Sequence, residues 1–296
     1  MFGELIGLSL AQCWLDQGSP NDFTLAELGP GRGTLMKDAL RAASQVPGFD
    51  PRIVLVETSA PLRAIQKETL ADHSVTWVDT VTALPDGPLY LIANEFFDAL
   101  PIRQFKRAGP DWQEIRIGVE QDALTFGMAQ TQAHPALDHR LVDTQDGDIV
   151  ELCSTAETIS AHIGTHIAQH GGAALVIDYG DWRSLGDTIQ AIKDHDHISP
   201  LDCPGDADLT AHVDFEAIAR ATAPAKHTRV TPQGVFLERL GITARANALA
   251  SKLRDDALSN HIAAHRRLTH PSEMGNLFKV LGIYPDSASP PPGLEP

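Results

Sequence analysis

The chain has 296 residues, enough for one large domain or two modest ones at ~150 residues each. Hydrophobic residues make up 43% and charged residues 21%, so the chain can bury a substantial core. Its 23 basic and 39 acidic residues leave a formal charge of −16. That charge argues against gripping a phosphate backbone or an anionic membrane surface, and suits a basic substrate better.

Cys13, Cys153 and Cys203 lie far apart and form no C-x-x-C pair, which fits a reduced compartment and gives no disulfide framework. No apolar run approaches the ~20 residues that span a bilayer, so no membrane insertion is expected. The opening MFGELIGLSLAQCWL carries Glu4 and no basic leader, and reads as an amphipathic helix of the fold. The expected compartment is the cytosol.

FTLAEL (23–28) reads as an apolar strand ending in glycines, and TLMKDALRAA (34–43) as the helix after it. PRIVLVE (51–57), SVTWVD (74–79) and PLYLIANE (88–95) are further strands, with a helix LRAIQKETLA at 62–71. Strands alternating with helices of about ten residues predict right-handed βαβ units and a parallel sheet covered on both faces. After Pro101 the texture changes. RQFKR, WQEIRIGVE and ALTFGMA (103–129) predict antiparallel strands, and a helix at 155–170 and a buried strand AALVIDY (173–179) restore the α/β pattern. From 214 onward DFEAIARATA, VFLERLG, ARANALASKL and EMGNLFKVL predict mainly helix, and the tail SASPPPGLEP (287–296) predicts disorder.

The sharpest motif is Glu27-Leu-Gly29-Pro-Gly31-Arg-Gly33-Thr, between a predicted strand and a predicted helix. Glycines there permit positive φ and close approach of a ligand, and the next helix points free N–H groups at it. The G-x-G-x-G spacing differs from the G-x-G-x-x-G of dinucleotide sites. An acid two residues before the first glycine suits the ammonium and sulfonium of S-adenosylmethionine (SAM) and would repel a pyrophosphate. Glu57, ending the second strand, is placed for ribose hydroxyls, and Asp79, ending the third, for the adenine amino group. At the fourth strand end, Asn94, Glu95 and Asp98 would face the transferring methyl, with Phe96 and Phe97 lining a channel or packing in the core. Asp178-Tyr179-Gly180, at a later strand end, is a second set for the same cleft.

MFGELIG, ELGPGRGTLMKDALR, NEFFDALPIRQF, VIDYG, GDTIQA, DLTAHVDF and MGNLFKVL resemble successive blocks of the MidA-like family. These are class I SAM-dependent methyltransferases that include the mitochondrial complex I assembly factor. The resemblance implies an α/β fold with a seven-stranded, Rossmann-like methyltransferase sheet, an inserted antiparallel segment and a largely helical C-terminal portion. The texture along the chain divides it into a SAM-binding core at 1–101, an inserted β-rich substrate segment at 102–150, the rest of the core with a helical substrate portion at 151–285, and a disordered tail at 286–296. The resemblance also implies S-adenosyl-L-methionine as cofactor and methylation of an arginine on a complex I subunit, while the acidic charge argues against a nucleic-acid partner. The location would be a bacterial cytoplasm, or the mitochondrial matrix in a eukaryote. Family members usually carry several dozen residues ahead of the MFGELIG block, ending in an S-P-E-I-S-Q or A-P-E-I-S-Q type motif. A misassigned start or a truncation, with part of a lid missing, would account for Met1 falling there.

On this reading Glu27, Gly29, Gly31, Gly33, Glu57 and Asp79 bind the cofactor. Glu95 and Asp98 hold the guanidinium and accept its proton, and Asn94 orients the substrate. Two alternatives stay open: a non-catalytic assembly factor that keeps the fold, and a nicotinamide-dependent oxidoreductase. His162, His166 and His170 recur every four residues but would flank an Ile159–Ile163–Ile167 seam near solvent, and Asp194-His195-Asp196-His197 reads as a solvated loop, so no metal is expected. Asp214 reads as a helix N-cap beside His212. Gly7-Leu-Ser9-Leu-Ala11 lacks the strand and final glycine of a nucleophile elbow, and implies no hydrolase.

Overall fold

The computed structural model describes residues 1–194 and 196–296. The first part of the chain forms α1 (Phe2–Asp16), β1 (Thr24–Leu28), α2 (Thr34–Ala43), β2 (Arg52–Val56), α3 (Ala60–Thr69), β3 (Val75–Val78) and β4 (Leu89–Asn94). The chain then runs through β5 (Arg103–Ala108), β6 (Asp111–Glu120), β7 (Ala123–Met128) and β8 (Ile149–Leu152) to α4 (Ser154–His170) and β9 (Gly172–Asp181). The remainder holds α5 (Phe215–Ala221), α6 (Gln233–Arg239), α7 (Ile242–Ala250), α8 (Asp255–Thr269) and β10 (Phe278–Tyr284), with shorter strands between them.

The central sheet has the order β3-β2-β1-β4-β9-β10, with the short strand Lys226–His227 at its far edge. The first five strands are parallel, and β10 runs antiparallel to β9. This is the α/β methyltransferase-type sheet expected from the motifs. Because β1 sends its chain to β2 on one side and has β4 on the other, the order reverses between β1 and β4, where open α/β sheets bind their ligands.

Alternation along the strands explains the two cores. Leu25, Ile53, Leu55, Tyr90, Ile92, Leu175 and Ile177 face α1 and α2. Ala26, Leu28, Val54, Val56, Leu91, Ala93 and Val176 face α4 and α5. Both faces are covered, so the strands read as nearly continuous apolar runs. The predicted antiparallel segment forms a separate sheet, β7-β6-β5-β8, over a small core of Phe105, Trp112, Leu137 and Val150.

Two expectations need correction. The run EMGNLFKVL is not one helix: a single turn at Met274–Leu277 leads straight into strand β10. In that strand Val280 enters one core and Leu281 and Ile283 the other, and a strand buried on both faces has no period of two to read. The tail is not disordered. Leu294 is buried against the α1–α2 core, and the Glu295 carbonyl accepts from the Arg229 N–H at 2.9 Å. Its prolines prevent regular structure, yet they do not prevent packing. Helix α8, which no sequence signal marked, buries none of its residues.

Helices α1 and α2 pack closely enough that a Cβ on Gly7 would lie 2.6 Å from the Ala39 Cα and carbonyl oxygen. That obstacle is backbone and cannot rotate away. Gly7→Ala is expected to cost about 1–3 kcal/mol, a melting temperature lowered by roughly 2–10 °C. An unchanged melting temperature in a thermal scan would contradict this packing.

Candidate active site

Strand register sets the site. Leu28 lies beside Val56 and Ala93, Val56 beside Val78, and Ala93 beside Val176, so the carboxyl ends of five strands are level. One or two residues beyond that level, Gly29, Glu57, Asp79, Glu95 and Asp178 come out along one edge of the sheet. The sequence had separated these positions by up to 149 residues (178 − 29).

Gly29, Gly31 and Gly33 all adopt positive φ, at 55°, 52° and 76°. Gly33 is the left-handed N-cap of α2. A Cβ on Gly29 would press to 2.9 Å against the Phe96 ring, whereas one on Gly31 would meet nothing within 4 Å. The loop thus presents bare backbone to open space at Gly31, as a cofactor cradle requires.

Glu57 is buried, with Oε1 accepting from the Ser59 N–H at 2.8 Å and Oε2 from Gln66 Nε2 at 3.2 Å. Ser59 also caps α3, which carries both Gln66 and Arg63. Gln66 is fully buried and ties the site together. Its Nε2 donates to the Gly31 carbonyl at 2.8 Å as well as to Glu57, and its Oε1 accepts from the Trp77 indole N–H at 2.8 Å. Arg63 donates to the Glu57 carbonyl and to Asp79 Oδ1, the latter at 2.6 Å. Asp79 is otherwise exposed, its side chain 77% accessible.

Glu27 lies elsewhere than its motif suggested. It shares a strand face with Leu25, so it points under the start of α2, toward the Met36 N–H, and Oε2 has no partner. Burial pushes its carboxyl up to about 8. Beneath the loop and largely protonated at neutral pH, it offers the loop a buried acid rather than an exposed charge.

At the end of β4, Glu95 is exposed and holds a left-handed φ of 50°, and Asn94 Nδ2 donates to Glu95 Oε1 at 3.3 Å. The loop after it is held by Asp178, which is fully buried at the end of β9. Its Oδ2 accepts from the N–H groups of Phe96, Phe97 and Asp98 at 3.2, 3.0 and 3.2 Å, and Oδ1 accepts from the Tyr179 N–H at 2.9 Å. Asp98 is buried and its Oδ1 is unpartnered. Burial raises it to about 6, with Glu95 and Asp208 adding to the rise and the Tyr179 hydroxyl opposing it. Burial and Asp98 push Asp178 upward as well. Four N–H donors converge on Asp178, against one backbone N–H, that of Ala99, and the Tyr179 hydroxyl on Asp98, so Asp98 is the member of the pair that takes up a proton more readily.

Phe97 packs in the core, while Phe96 is half-buried against the glycine loop and meets Phe97 edge-on at 5.3 Å. The histidine row does not lie near solvent throughout: His166 is buried, and its Nε2 sits 2.9 Å from the Gly87 carbonyl. Asp214 caps α5 through the Ala217 N–H at 3.0 Å. Among the described residues no three His, Cys, Asp or Glu side chains are grouped to hold a metal, and His195 of the acidic loop lies outside them. Gln66 and Arg63 escaped sequence reasoning because a polar residue on a short helix carries no motif.

Glu27 gives a pH test. Its folded value, about 8, exceeds the ordinary 4.5, so between these the native state holds a proton that the unfolded chain releases. Its contribution therefore falls as pH rises through that window, by at most about 1.4 kcal/mol per unit. Glu27→Gln removes this loss. Its melting temperature relative to the wild type should be higher at pH 7.5 than at pH 5.5, and an equal difference at both would contradict the buried acid.

A family model described as "Putative S-adenosyl-L-methionine-dependent methyltransferase" matches residues 5–233. The protein arginine methyltransferase NDUFAF7, mitochondrial, of Xenopus laevis is 33% identical over 318 residues, an alignment covering 97% of this chain and 72% of that protein. Its human counterpart is 32% identical, covering 96% and 71%. Among solved structures, a "likely methyl transferase" from Burkholderia thailandensis bound to S-adenosyl-homocysteine superimposes with a TM-score of 0.81 at 28% identity, covering 96% of this chain and 76% of that one. With an open glycine loop at the switch point of such a sheet, the chain belongs to this family and is a SAM-dependent methyltransferase.

Proposed function

We propose that the chain methylates an arginine of a protein, a subunit of respiratory complex I. The observation that carries the arginine reading is a set of acids without a cation. Among the described residues no lysine, arginine or histidine forms an ion pair with Glu95, Asp98 or Asp178, although ion pairs elsewhere engage most arginines. Acids left without a cation at the cofactor edge, Asp98 and Asp178 buried and Glu95 exposed, fit a cationic guest. The relatives named protein arginine methyltransferases support the same class of acceptor, and the complex I subunit comes from the resemblance.

Glu57 and Asp79 are assigned to the ribose and adenine ends of the cofactor, Gly29, Gly31 and Gly33 to its amino-acid end, and Glu27 to the support of that loop. SAM supplies an electrophilic methyl on its sulfonium. Glu95 and Asp98 hold the guanidinium and draw positive charge away from the attacking nitrogen, with Asn94 steadying Glu95. The enzyme's main task is alignment. Transfer would break the sulfonium–methyl bond as the C–N bond forms and release S-adenosylhomocysteine, and Asp98 would then accept the guanidinium proton, which it can do above pH 6, where it is ionised. Asp178 acts on the substrate only through the loop it clamps. The mitochondrial relatives support a matrix location if the source is a eukaryote, and the bacterial cytoplasm is the reading otherwise.

A deletion strain complemented with the wild type, Gly31→Val or Asp98→Asn tests the assignment, with complex I arginine methylation read by mass spectrometry. Wild type should restore a methyl-arginine missing from the deletion strain, and neither variant should. With purified proteins, Gly31→Val should lose S-adenosylhomocysteine binding, because a β-branched side chain fills the open approach. Asp98→Asn should keep that binding and slow transfer on the order of 10²-fold, and the wild-type rate should rise with pH through about 6. Full restoration by Asp98→Asn would remove Asp98 from the reaction.

A further inference from the structure

Among the described residues, none covers the outer part of an apolar face on the β6–β7 ribbon. Cross-strand pairing sets Ile115 opposite Met128, Ile117 opposite Phe126 and Val119 opposite Leu124, all on one face by the period of two. Ile117, Val119, Phe126 and Met128 are 57%, 72%, 47% and 48% exposed. The opposite face, where Glu114 binds Arg103 and Arg116, belongs to the small core of this sheet. A contiguous run of large apolar side chains on a projecting ribbon marks an interaction surface.

We propose that this face binds the methyl-accepting protein as an extended segment, its alternate apolar side chains lying on the ribbon and its arginine entering the acidic cleft; the proposal rests on the protein-methylation reading above. Continuity is the first support. Ile102, Ile115, Ile117, Phe126 and Ile189 line one groove of about 440 Å³, and Ile102 also walls a second cavity with Phe97 and His212. Polar contacts follow the same path. Gln104, paired with Ile115 across the ladder, donates to Glu151 and Asp187 at 2.8 and 2.7 Å. Glu151 accepts from the Thr188 N–H at 2.9 Å, and the Thr188 hydroxyl accepts from the His212 N–H at 2.8 Å. The His212 ring stands edge-on to Tyr179 at 5.3 Å, and Tyr179 flanks Asp98. One run of contacts thus links the ribbon face to the cleft.

Charge selects the occupant. Glu120 and Asp122 sit at the tip of the ribbon, Asp187 accepts from Gln104 of the groove lining, Arg103 and Arg116 of that lining are engaged by Glu114, and the chain carries −16 overall. An anionic lipid surface is repelled by that pattern, and a second copy brings the same negative charge. A basic, partly apolar polypeptide is attracted by it.

The test uses two synthetic 13-residue peptides, each with one arginine. One has valine or isoleucine at alternate positions on one side of it, and the other has serine there. Binding is read by fluorescence anisotropy with S-adenosylhomocysteine present. The wild type should bind the apolar peptide at least tenfold more tightly, and Ile117→Glu/Phe126→Glu should lose that preference while keeping its calorimetric affinity for S-adenosylhomocysteine. Equal affinity of the wild type for both peptides, or a preference surviving in the variant, would overturn the proposal with the enzyme reading intact. Failure of the wild type to bind S-adenosylhomocysteine would instead overturn the reading beneath it. A wild-type dimer that the variant disperses, read by light scattering, would give the face to a second copy and equally overturn the proposal.

Discussion

One buried carboxylate organises the catalytic edge of this enzyme. Asp178 takes three consecutive backbone N–H groups of the loop after β4 on a single oxygen, and its own strand supplies a fourth to the other. Without such an acceptor those donors would be orphaned in a water-poor site, at about 1–3 kcal/mol each. The clamp fixes the direction of the chain from Glu95 to Asp98. Phe96 comes to rest on Gly29, the left-handed turn at Glu95 is maintained, and Asp98 is carried into the interior. The cofactor loop and the acids of the cleft are thereby joined through one ring and one carboxylate.

This arrangement has an electrostatic consequence. A second acid beside a buried, donor-rich one meets both desolvation and repulsion, so Asp98 titrates near the working pH instead of far below it. On the other side of the loop Gln66 does with neutral groups what Asp178 does with charge, joining Gly31, Glu57 and Trp77 by hydrogen bonds. Glu27, below α2, adds a third buried acid whose cost depends on pH. Several acids near one face are tolerated because each has a different surrounding: N–H donors, an amide, or a hydroxyl.

Much of this was legible in the residues. A glycine loop between a strand and a helix, acids at successive strand ends and alternating βαβ texture predicted the sheet and the edge where the acids meet. Alternation also foretold the antiparallel segment, since one of its faces is wet. What escaped notice had no local signature. Gln66 and Arg63 act from the buried side of a short helix, and β10 hides in an apolar run because both its faces are covered. The proline-rich tail packs through Leu294, a long-range contact that composition does not encode. For Glu27 the strand end was legible and the direction of its side chain was not, because strand alternation turns it toward α2.

The central claim is that Asp98 is a buried acid poised near neutrality to receive a guanidinium. Carbon-13 NMR of the aspartate carboxyls, assigned through Asp98→Asn, measures this directly in the S-adenosylhomocysteine complex. The account predicts a midpoint for Asp98 near 6 that falls when excess N-acetyl-L-arginine amide is added, because an opposite charge favours the ionised form. A midpoint at the ordinary aspartate value of 3.8, or one that arginine leaves unmoved, would contradict it.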